Sequence, residues 1–75
     1  MKINLISCDA PKPDKRAIKK MFEEIALGMD SSLAFEMTEI LLDGDPVEIE
    51  VSEKTTSSAY RLLRKQNIDY EIIED

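Results

Sequence analysis

Reactive chemistry has few places to reside in this chain. Cys8 is the single thiol, and there is no histidine. A cysteine or serine nucleophile needs an adjacent base to take its proton, and the usual partner is missing. Cys8 therefore reads as a small, partly buried residue at a strand end. Asp43, Asp45 and Glu48 resemble a fragment of a calcium loop but lack the later ligands and the long bidentate glutamate position. They read as turn and cap residues, and no metal or cofactor is expected. Asp9, Asp14 and Glu23 are candidates for an acid/base carboxylate pair, but nothing in their spacing forces them together; Asp9 reads as a turn former. Met21, Met29 and Met37 read as core filler, and Tyr60 and Tyr70 are too few and too far from the cations to stack bases. The constellation that stands out is Lys12, Lys15, Arg16, Lys19 and Lys20, with Ile18 among them. Single exposed ion pairs are worth little. Several cations on one rigid helix nevertheless make a patch that an acidic partner surface reads; the alternative is ordinary solvation of a helix exterior.

The element that must carry this patch is the stretch Pro13 to Met29. Ala17, Ile18, Met21, Phe22, Ile25 and Ala26 recur at three- and four-residue steps, which places them on one helix face and the cations on the other. Pro13 and Asp14 suit a helix start, Lys19–Glu23 and Lys20–Glu24 are four-residue ion pairs, and the helix is expected to run to about Leu27, ended by Gly28. A strand from Lys2 to Ser7 precedes it, separated by a turn containing Pro11 and Pro13, which have no N–H to donate.

A second helix, capped by Asp30, Ser31 or Ser32, is expected to use Leu33, Phe35, Met37, Ile40, Leu41 and Leu42 as its apolar side, with Glu36 and Glu39 in water. Asp43-Gly44-Asp45-Pro46 stops it. Val47 to Val51 alternates strictly, with Val47, Ile49 and Val51 facing inward. Ser52 caps a third helix with Ala59, Leu62 and Leu63 inward and Arg61, Arg64 and Lys65 outward; Asn67 takes the place of the usual glycine after it. Ile68 to Glu74 forms the last strand, with Tyr70 and Ile72 alternating against Glu71. The order is β-α-α-β-α-β: an α+β fold in which a three-stranded antiparallel sheet, first strand central, has one face covered by helices.

Seventy-five residues make one domain, 1–75. A chain this short buries only about 60% of its unfolded surface, so its stability margin is thin and a deep pocket would compete with the core. With 43% apolar residues it should fold. A strand beginning directly after Met1 leaves no place for a signal peptide, no apolar run approaches the ~20 residues of a membrane span, and a lone cysteine suits a reducing compartment; a cytoplasmic location is expected. The net charge of −6 argues against nucleic acid or an anionic membrane as main partner. From Lys12 to Lys20 there are five cations and one acid, whereas Met21 to Glu53 holds ten acids and no Lys or Arg. Such blocks mark either solvated faces or a recognition surface that uses both signs to orient a partner.

Ile18-Lys19, Leu27-Gly28-Met29, Pro46-Val47, Ser52 and Tyr70-Glu71-Ile72 stand at the positions of a known pattern: an Ile-Lys pair, a helix ending in Leu-Gly-Leu, a Pro-Val strand entry, a Ser-capped helix and a closing strand. Over nearly its whole length the chain thus resembles the C-terminal domain of the bacterial ribosomal stalk protein. It is also similar to the related Clp-protease adaptor that recognises N-terminal degradation signals. The stalk resemblance implies docking of translation factors on the first helix, with Ile18 and Lys19 the residues that match. The adaptor's reading residues are not carried over, since Ser7, Cys8, Asp9 and a site near Leu41 stand where it has Asn-Asp-Asp and a histidine.

The resulting expectation is a non-enzymatic protein–protein interaction module that docks through Lys12, Lys15, Arg16, Ile18, Lys19 and Lys20 on a protein of the translational or proteolytic machinery. A regulatory homodimer pairing through an exposed edge strand, Ile68 to Glu74, is the alternative. A nucleic-acid or phosphate binder on the Lys12–Lys20 face would require salt-sensitive binding despite the net acidity.

Overall fold

A computed structural model describes residues 1–73. It orders the elements as β1 (Lys2–Cys8), α1 (Lys15–Ile25), α2 (Ser31–Leu42), β2 (Val47–Glu50), α3 (Thr56–Lys65) and β3 (Ile68–Ile73). The sheet order is β2-β1-β3 with both pairings antiparallel, so the expected α+β order and central first strand are observed. Glu74, the expected end of the last strand, lies outside the described residues. Strand alternation decides which side the helices cover. Ile3 and Leu5 of β1 and Val47 and Ile49 of β2 are buried beneath them, while Lys2, Ile6, Glu48, Glu50, Asp69 and Glu71 are exposed on the other face.

Helix starts follow local capping chemistry. The Asp14 carboxylate accepts the Ala17 N–H at 3.1 Å, and Asp30 accepts from Leu33 at 2.8 Å. Ser52 accepts from Lys54 at 3.3 Å, but the turn it caps is a 3-10 helix, Glu53–Thr55, which leads into α3. Gly44 has φ +98, and the Asp45 N–H reaches back to Ile40 O at 3.1 Å, closing α2.

The structure departs from these expectations at α1 and at α2. α1 ends at Ile25, about two residues early, because Ala26 turns extended and bridges Val51 while Leu27 N–H donates to Glu50 O at 2.7 Å. Gly28, at φ +70, therefore turns the chain between this short pairing and α2 rather than closing a helix at Leu27. In β1 the pairing with β3 shifts between Leu5 and Ser7, and Ile6 is thrown outward into solvent. The largest change is in α2. Its buried stripe is Ala34, Thr38 and Leu41, at i, i+4 and i+7, with Met37 and Leu42 half-buried. Leu33, Phe35 and Ile40, expected inside, are exposed. Small residues at the contact let α2 settle closely on α1 and β1, and Thr38 satisfies its buried hydroxyl by donating to Ala34 O at 2.8 Å.

The core is one cluster. Phe22, Ile18, Met21 and Ile25 of α1 meet Ala34 and Leu41 of α2, Ala59 and Leu63 of α3, and the inward side chains of the sheet. Leu62 is only half-buried. Tyr60 of α3 stacks on Tyr70 of β3, ring centres 5.2 Å apart and 8° from parallel, at the rim of this cluster.

Candidate functional site

The cationic residues sit on the solvent side of α1 because its other side is spent on the core. Burial is the first consequence for the expected site: Ile18 has no exposed surface, so it supports the patch from beneath and presents nothing to a partner. Helical spacing requires this, since Ile18 shares its face with Met21, Phe22 and Ile25.

Of the five cations, Lys15, Arg16 and Lys19 converge. They line an open cleft of about 300 Å³ together with Phe35 of α2. Phe35 is 54% exposed, an apolar floor ringed by positive charge. Two of the three cations are already engaged. Lys15 Nζ lies 3.2 Å from Glu39 Oε1, tying α1 to α2, and Lys19 Nζ lies 3.3 Å from Glu23 Oε1 within α1. Both pairs are substantially exposed, so each adds about 1 kcal/mol at most. No ion pair joins Lys20 to Glu24 among the described residues, and Arg16 and Lys20 stand uncompensated in solvent. Lys12 departs from the group: it lines a different cleft of about 430 Å³ with Asp14, Lys65 and Asn67, where the turn after β1 meets the end of α3.

A second juxtaposition was not legible in the sequence. Asp9 does not meet Asp14 or Glu23 as a pair; it meets Asp69, across the junction of β1 and β3. Asp9 N–H donates to Asn67 O at 2.9 Å and Ser7 pairs with Asp69 in the ladder, which sets the two carboxyls side by side. The hydrogen bond with Asp9 and then the repulsion of its charge hold the Asp69 carboxyl above its ordinary value of 3.8, with a further contribution from lost hydration and an opposing one from Ser7. Ser7 Oγ also reaches Asp9 Oδ1 at 3.5 Å. Sixty residues separate the two aspartates, so only knowledge of the β1–β3 register would have revealed them. Among the described residues no cluster of three or more Cys, Asp or Glu side chains is gathered to hold a metal ion.

Cys8 is half-buried, its thiol directed to Gln66 O at 3.4 Å. That carbonyl is a hydrogen-bond acceptor and not a general base. No helix among the described residues is long and apolar enough to cross a membrane. No protein-family model matches the chain, and no curated protein or solved structure matches it either.

Proposed function

We propose that this chain is a non-enzymatic interaction module of the cytosol that docks a larger protein on α1. The observation that carries this reading is the cleft in which Lys15, Arg16 and Lys19 surround the exposed ring of Phe35. An aromatic floor supplies contact area, and a cationic rim orients a partner that brings an apolar side chain flanked by acids. The stalk-domain resemblance supports a partner in the translational or proteolytic machinery. The lack of histidine and the contact of Cys8 with a carbonyl support the non-enzymatic reading.

Lysate capture followed by identification of the bound protein tests it. Arg16→Glu with Lys20→Glu is the informative variant, because neither residue is ion-paired among the described residues and reversal leaves the Glu39 and Glu23 contacts intact. The expected result is one partner held by the wild type and lost by this variant and by Phe35→Ser. Equal capture by all three places docking elsewhere. A second reading, a homodimer joined through β3, is favoured by one observation: Ile72 faces the helix side of this edge strand opposite Ile3, yet is exposed. Sedimentation at high concentration decides it.

A further inference from the structure

α2 presents a second apolar surface on its other flank. Phe35 and Glu39 mark the side of α2 that faces α1, through the cleft and the ion pair with Lys15. At 100° per residue, Leu33, Met37 and Ile40 fall on the opposite flank, at i, i+4 and i+7. Leu33 and Ile40 are exposed and Met37 is half-buried, in a stripe about 10 Å long. This flank lies toward β2, since α2 packs on β1 and β2 and β2 is the edge strand. Leu27, also exposed, sits at that edge, held by its bond to Glu50 O.

Charge distinguishes this surface from the α1 cleft. Glu36 lies beside the stripe, Asp30 and Asp43 cap the two ends of α2, and Asp45 follows in the adjoining loop; all are exposed. No Lys or Arg occurs between Met21 and Glu53; Lys2, opposite Glu50 on the outward face of the sheet, is a cation from a neighbouring strand. We infer that this stripe is a docking site for a basic amphipathic helix of a partner protein, its apolar side chains on Leu33, Met37 and Ile40 and its Lys and Arg residues against the acidic rim. A symmetric second copy would set acid against acid. An added strand would find Glu50 O already taken by the Leu27 N–H. A helix meets neither obstacle and matches the spacing of the stripe. This site is separate from the α1 cleft and of opposite sign, so the domain has the surfaces to bridge two partners.

The probe is a fluorescent amphipathic Leu/Lys peptide of about 18 residues, long enough for five turns. Its Leu/Glu counterpart is the control, and both are titrated with the whole chain and followed by anisotropy. Saturable, salt-weakened binding of the Leu/Lys peptide alone is expected. Leu33→Gln with Ile40→Gln should weaken it by about tenfold or more, and Phe35→Gln should leave it unchanged. Amide shifts of the wild-type protein should change at Leu33, Glu36, Met37 and Ile40, which tests the site independently of any variant. Absence of binding, equal binding of the Leu/Glu peptide, retention in the double variant, shifts confined to α1, or self-association that buries the stripe would each overturn the assignment.

Discussion

The carboxyl of Asp69 shows how one residue senses a distant segment. Held above 3.8 by Asp9, it binds its proton more firmly in the folded chain than in the unfolded one. Its contribution to stability is therefore most favourable below 3.8 and falls as pH rises through the folded value, where Asp69 gives up its proton beside Asp9. Asp69→Asn is expected to raise Tm near pH 7 and to leave it unchanged at about pH 3, read from thermal melts at the two pH values. An equal shift at both would mean that the effect is not electrostatic. Phe35 is apolar and yet exposed. The same side chain that suits a core stripe on sequence grounds forms the floor of the cationic cleft, because Ala34 and Thr38 occupy the contact with the rest of the fold.

Elements are joined here by turns whose chemistry is local. Asn67 adopts φ +57 between α3 and β3, the left-handed conformation that asparagine tolerates and glycine adopts freely. Asn67→Gly should change stability by less than about 0.5 kcal/mol, whereas Asn67→Ala should cost about 1 kcal/mol, measured as shifts in urea midpoint. The carbonyl of this residue also anchors Asp9, so a badly placed turn would disturb the Asp9–Asp69 pair. α1 and α2 differ in what their sequences specify. α1 has one apolar face and one charged face, so its buried residues were readable from spacing. α2 is apolar around most of its circumference, with Leu33, Phe35, Met37, Ile40, Leu41 and Leu42 spread over more than one flank, and its periodicity does not select a single stripe.

A small core carries the fold. A domain of 75 residues has a stability of about 4–11 kcal/mol, and Phe22, fully buried where α1 enters the cluster, accounts for a large part of it. Phe22→Ala is expected to cost about 3–5 kcal/mol, lowering the denaturant midpoint steeply or abolishing the cooperative transition. A loss below about 1 kcal/mol would show that the core tolerates the cavity. Charge is also organised globally: the solvent face of α1 is positive, and the α2–β2 side is negative. Features written within a few consecutive residues follow from the amino-acid sequence alone. These are the alternation of Val47 to Val51, a helix start at Pro13-Asp14, a capping segment at residues 30–32 from which Asp30 is used, the left-handed residue at 67, the core face of α1 and the sign of each charged block. Long-range packing selects which flank of α2 is covered, where α1 gives way to its pairing with Val51, and how Asp9 meets Asp69 and Phe35 meets Lys15. The two sets differ in range. Capping and alternation depend on neighbours along the chain, whereas these choices depend on contacts between distant segments, where competing apolar faces differ little in the free energy of burial.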